Sequence, residues 1–166
     1  IAMANQLLTD KQIDRENYGA PVVDNSWRIM YDQTADKNNA YVPEYATVVY
    51  PLIINCEAVR DQSGSYAGLR VTINLLKKAA SGVSGLSPYR YESSSYDLET
   101  ASDLVISAAE KGGWNRMWYG ETSNVNTLEL GTPEKAYVQW WRYANGRNDE
   151  LVVPVLIFPI LNIPTE

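Results

Sequence analysis

Apolar and polar positions alternate with a period of two through Leu69-Arg70-Val71-Thr72-Ile73-Asn74-Leu75-Leu76. Leu69, Val71, Ile73 and Leu75 fall on one face, and Arg70, Thr72 and Asn74 on the other. This pattern predicts a half-buried strand in an antiparallel pair. A second strand is predicted over Ala46 to Asn55. There Val48, Tyr50, Leu52 and Ile54 point one way and Val49 and Ile53 the other. Both faces are apolar, so the strand should be covered on both sides near its middle. Pro51 has no N–H to give a ladder, which places it at an edge or a bulge. Asp61-Gln62-Ser63-Gly64 reads as the turn between these strands.

Lys135 to Tyr143 and Glu150 to Ile160 predict a long hairpin closed by Asn145-Gly146, the pair that best tolerates the positive φ of a type I′ turn. Pro154 and Pro159 assign the return strand to an edge or a strand end. Shorter strands are expected at Ser26 to Asp32, around Val83 and Leu86, and at Asn126 to Leu130. Gln33 to Asn39 is polar and aperiodic and reads as a loop.

Two stretches carry a helical period. Ala2 to Glu16 places Met3, Leu7 and Leu8 on a face that Ile13 extends, and Asn17-Tyr18-Gly19-Ala20-Pro21 stops it. Asp97 to Lys111 has Thr100 or Asp97 as cap, a narrow apolar face (Leu98, Ala101, Val105, Ala108, Ala109), and Gly112-Gly113 as terminator. Helices and hairpins are segregated along the chain. This predicts an α+β fold: an antiparallel sheet of hairpins with two helices packed on it, in two similar helix-plus-hairpin halves. Val48, Tyr50, Leu52, Ile54, Val71, Ile73, Val138, Trp140, Val153 and Val155 are the expected core, most of them on one sheet.

The chain has 166 residues, which fits a single domain over 1–166 that should bury roughly 70% of its unfolded surface. It contains five Trp and twelve Tyr but no His and one Cys. Without His there is no Ser–His–Asp triad, no Cys–His pair and no His-ligated metal. It also predicts a stability that is flat between about pH 6 and 8. Cys56 follows Leu52-Ile53-Ile54 and reads as a small buried hydrophobe. The net charge of −6 argues against nucleic acid as a partner. Lys77-Lys78, the one adjacent basic pair, reads as a solvated strand end. No run approaches the length of a transmembrane helix, and the most apolar stretch, Leu151 to Leu161, is too short and interrupted by Pro154 and Pro159, so no direct membrane insertion by this chain is expected. The chain begins at Ile1 and reads as a piece excised from a longer secreted or membrane-anchored protein.

A helix followed by a hairpin with an exposed turn resembles PepSY-type extracytoplasmic bacterial modules. The residues carrying the resemblance are Val48 to Asn55, Asp61 to Gly64 and Leu69 to Leu76, about half of the chain with its helix. The resemblance implies a non-catalytic domain outside the cytoplasm, periplasmic or at the cell surface, that acts by contact with a protein partner or its own parent chain. It implies no cofactor.

Candidate chemistry is sparse. Trp114, Asn115, Arg116, Trp118 and Tyr119 lie between Gly112-Gly113 and Gly120. Flat rings beside directed hydrogen-bond donors make a ligand platform, which points to carbohydrate binding as the alternative function. The reading preferred for the segment itself is a loop that folds the same rings back over the sheet as a lid on the core. Tyr89, Tyr91 and Tyr96 among Ser93-Ser94-Ser95 read as a recognition surface or as an aromatic edge strand. Glu129 with Glu121, or Glu92 with Glu99, would be the acids of a two-carboxylate glycoside hydrolase, the third reading. Asp32, Asp36 and Asn38 offer oxygen ligands but lack the EF-hand spacing, and read as a turn cap. Gly82-Val83-Ser84-Gly85 is one residue short of a nucleophile elbow. The expectation is therefore a non-enzyme without metal or cofactor.

Overall fold

The computed structural model describes residues 1–86, 91–95, 97, 99, 101–113, 129–144 and 146–161. The fold is α+β with sheets rich in antiparallel pairs. The chain forms two compact units, Ile1–Pro88 with Ala136–Val153, and Tyr89–Lys135 with Pro154–Glu166.

The first unit opens on α1 (Ala2–Asp10), which buries Ala4 and Leu8 while Met3 stays exposed. The helix stops six residues before the predicted end at Glu16. Gln12 takes a φ of 54°, and the Ile13 N–H reaches back to the Leu8 carbonyl at 2.9 Å. Ile13 thereby packs on the same core as Leu8 instead of extending the helix. Strands β1 (Val22–Val23), β2 (Tyr45–Pro51), β5 (Gly68–Asn74) and β6 (Ala79–Ser84) form one sheet in the order β1-β2-β5-β6. Val48 faces Val71 and Tyr50 faces Leu69 across the antiparallel β2–β5 pair. Val48, Tyr50, Leu69, Val71 and Ile73 make the main core with Ala4 and Leu8. Val49 is buried as well, so β2 is covered on both faces near its middle.

Ser26 to Asp32 is not a strand. Trp27–Gln33 is a helix, α2. The Asp24 carboxylate accepts the Ser26 N–H at 3.0 Å, and the Asn25 carbonyl accepts the Arg28 N–H, so the run Asp24-Asn25-Ser26 starts a helical turn. Trp27 and Tyr31, four residues apart, then meet edge to face at 5.9 Å between ring centres. Lys37 closes the other end by donating to the Tyr31 and Asp32 carbonyls. Asp36 caps its own turn by accepting the Asn38 N–H.

Beyond Pro51 the chain leaves the first sheet. β3 (Ile53–Ile54) and β4 (Glu57–Arg60) join β7 (Glu134–Ala144) and β8 (Arg147–Ile157) in a second sheet of order β3-β4-β7-β8. β4 runs parallel to β7, with Val59 opposite Tyr137. β8 stands last in the order, as its prolines predict. The expected core therefore divides: Val48, Tyr50, Leu52, Val71 and Ile73 are buried, while Ile54, Val138, Trp140, Val153 and Val155 are half-buried and lie on the second sheet. A second small core of Leu52, Val59 and Ala67 sits where β2 gives way to β4. Its three residues close a ring of backbone bonds, Leu52 N–H to Ala67, Ala67 N–H to Val59 and Val59 N–H to Leu52.

Cys56 is exposed, contrary to the reading as a buried hydrophobe. Asn55 and Cys56 both have positive φ, 50° and 67°, and form the two-residue turn between Ile54 and Glu57. Leu75 is likewise exposed, because β5 ends at Asn74 and the chain turns there. In the second unit α3 (Ser102–Glu110) starts five residues later than predicted, with Ala101 at its N-cap and the Ala101 N–H bonded to Glu99. It ends as predicted: the Gly113 N–H reaches the Ala108 carbonyl while Gly112 takes a φ of 89°. Leu130 bridges Ile160, so Leu130 alone represents the predicted strand at Asn126 to Leu130 among the described residues.

Candidate functional site

Strand β7 supplies the most exposed large aromatic pair on a regular element among the described residues. Its side chains alternate, so Tyr137, Gln139, Trp141 and Tyr143 share one face and Val138 and Trp140 the other. Val138 and Trp140 are half-buried. Trp141 is 50% exposed and Tyr143 75%. Two residues of strand set their Cα atoms about 7 Å apart on one face. Farther along that face, the Gln139 amide donates to the Glu150 carboxylate at 2.5 Å, tying β7 to β8. The Tyr137 hydroxyl accepts the Asn55 amide at 2.9 Å, which fixes the base of the same face. The result is an open aromatic surface bordered by a half-buried amide–carboxylate pair.

This pair was not among the candidates read from the sequence, where Lys135 to Tyr143 served only as a strand. The signal was present. Two consecutive Trp in a strand cannot share a face, so one of Trp140 and Trp141 must point away from the core.

Trp114, Asn115, Arg116, Trp118 and Tyr119 lie outside the described residues, as do Tyr89, Tyr96 and Glu121. Tyr91 and Ser93, Ser94 and Ser95 are exposed. Glu92, Glu99 and Glu129 are exposed too. Ser84 ends β6 and Gly85 follows it, where Gly85 packs on the Gly68 backbone. Among the described residues no three His, Cys, Asp or Glu side chains stand together as a metal site.

A second polar cluster surrounds the turn after β4. The Asp61 carboxylate accepts the N–H groups of Ser63 and Ser65, at 2.9 and 3.0 Å, as the predicted turn requires. The Arg60 guanidinium lies 3.8 Å from the centre of the Tyr66 ring and donates to the Gly64 carbonyl. Arg70 donates to the Tyr66 carbonyl at 2.8 Å and approaches Asp61 at 3.6 Å. Both arginines thus make contacts at this turn. Asp24 is held below the usual carboxylate range, first by the Ser26 N–H, then by the Ser26 hydroxyl, with Arg70 adding to both against some burial.

The chain matches no protein-family model, no curated protein and no solved structure.

Proposed function

We propose that the chain is a non-catalytic, PepSY-like extracytoplasmic interaction domain that docks on a protein partner or on its own parent chain. The observation that carries this reading is the exposure of Trp141 and Tyr143 together on one face of β7. Tyr and Trp supply much of the binding energy at protein contacts, because they bury large area at little conformational cost. The edge position of β8 beside them supports it, since an edge strand offers free backbone groups for an added strand.

A glycan is the second reading. The Gln139–Glu150 pair favours it, because an amide and a carboxylate next to an indole complement the hydroxyls and flat C–H face of a sugar ring. On β7 this reading rests on residues other than Trp114, Trp118 and Tyr119, which lie outside the described residues.

A photo-crosslinking residue at position 143 of the full parent chain, in its own cells, separates the readings. A discrete protein adduct, absent when the probe sits at exposed Glu110, is the expected result. An adduct released by glycosidase treatment promotes the glycan reading. Equal labelling from positions 143 and 110 overturns both.

A further inference from the structure

The turn between β5 and β6 carries Leu75, Leu76, Lys77 and Lys78, all exposed, with Leu76 at 74%. Two leucines stand in succession here, and Leu76 is left largely uncovered by the fold. The turn is held rather than loose. Asn74, buried at the end of β5, accepts the Lys77 N–H through its side chain at 2.7 Å. The Leu75 N–H donates to the Glu44 carbonyl at 2.8 Å, which draws the segment before β2 alongside. That segment presents Tyr41 and Val42, and β2 opens on Tyr45, each exposed. Lys78 adopts a φ of 49°, a left-handed conformation that Gly or Asn would take with less strain. The apex therefore keeps a charged side chain where backbone geometry alone would favour a small one.

This end combines the residue types of a bilayer-facing surface, all exposed: Leu75 and Leu76, Lys77 and Lys78, Tyr41 and Tyr45. Leu inserts among acyl chains, Tyr sits with its ring apolar and its hydroxyl wet, and Lys extends its ammonium to the headgroups. Its local charge opposes that of the whole chain, which carries 20 acidic residues against 14 basic ones. Glu44 is the acidic residue of the adjoining segment. Exposed charges more than about 8 Å away are largely screened at physiological salt, so the two lysines at the tip weigh more in a surface contact than the net charge of the chain does.

We infer that the β5–β6 turn, with Tyr41, Val42 and Tyr45, is a peripheral docking surface for an anionic lipid bilayer. It lies on a different element from the Trp141–Tyr143 face and does not depend on it. The turn is preorganised, so little ordering entropy opposes docking. Contact is shallow and reversible, because two leucines and two lysines fall well short of a spanning segment.

Co-sedimentation of the 166-residue chain with vesicles tests it. The chain should pellet with vesicles of equal parts phosphatidylcholine and phosphatidylglycerol, and much less with phosphatidylcholine alone. Binding should weaken as salt rises. Lys77→Gln and Lys78→Gln should each lower the partition coefficient about fivefold. Leu75→Ser with Leu76→Ser should lower it about tenfold or more. Glu44→Gln should raise it. These positions are exposed, and circular dichroism confirms that each variant is folded. Failure to pellet with the anionic vesicles overturns the inference, as does pelleting that these substitutions leave unchanged. A dimer in sedimentation velocity that Leu75→Ser with Leu76→Ser abolishes would assign the surface to a second copy instead, and also overturns it.

Discussion

The Tyr50 hydroxyl donates to the Asn5 side-chain carbonyl at 2.7 Å, although 45 residues separate the two. The same oxygen accepts from Arg15 at 3.0 Å. One amide thus ties α1, the segment that follows it and the central strand β2 together. Tyr50→Phe keeps the ring in the core and leaves Asn5 with Arg15, so it should cost about 1 kcal/mol. Thermal denaturation checks this, and an unchanged midpoint would show that the bond adds nothing to stability.

Burial raises the Tyr50 phenol above its usual value of 10.0, with Arg15 working the other way. The neutral form is therefore favoured in the fold. Stability should hold below about pH 10 and fall as pH rises above it, because the unfolded chain ionises first. Tyr50→Phe should flatten that alkaline loss. Asp24 has the opposite sign: its stabilising share is present above the ordinary carboxylate value of 3.8 and disappears as pH falls through its lowered value. With no His in the chain, melting temperatures between about pH 6 and 8 should coincide.

Gly68 and Gly85 stack where β2, β5 and β6 converge. A Cβ on Gly68 would overlap the Tyr50 carbonyl oxygen, and a Cβ on Gly85 the Gly68 carbonyl oxygen. Both overlaps are with backbone, and both φ values are positive, 137° and 69°. Gly68→Ala and Gly85→Ala should each destabilise by about 3 kcal/mol or more. Gly64 also has a positive φ, 84°, but open space around it. Gly64→Ala should therefore cost only about 1–2 kcal/mol, the strain of the left-handed conformation alone. Urea titration of the three variants gives the comparison.

Cys56 occupies the second position of a type I′ turn at a φ of 67°, which Gly adopts without strain. Cys56→Gly would create an Asn-Gly turn and should stabilise by about 0.5–1 kcal/mol, visible as a raised denaturation midpoint. A lowered midpoint would mean that the thiol has a contact worth more than the strain.

Tyr143→Ala should leave stability within about 0.5 kcal/mol, since the side chain is 75% exposed. The same substitution should abolish the position-dependent contact proposed for β7. A loss of several kcal/mol would instead assign Tyr143 to the structural core.

Features that rest on neighbours in sequence were legible from it. The period-two alternation of Leu69, Val71 and Ile73 located β5 and its buried face. Asp61 to Gly64 and Gly112-Gly113 marked a turn and a helix end, because side-chain oxygens and positive φ act within a few residues. The Trp140-Trp141 pair already required one outward ring. Other features depended on partners far along the chain. Ser26 to Asp32 has strand-forming residues, yet no neighbouring ladder claims them, and the Asp24 cap with the Trp27–Tyr31 contact makes the helix. Leu75 continues the alternation of β5 but is exposed, because the ladder ends at Asn74 opposite Tyr45. The division of the core between two sheets follows from the parallel pairing of β4 with β7, which joins Val59 to Tyr137. Alternation states which face of a strand is apolar; which strand lies beside it, and so whether that face is covered, is decided by long-range backbone pairing that local preference does not encode.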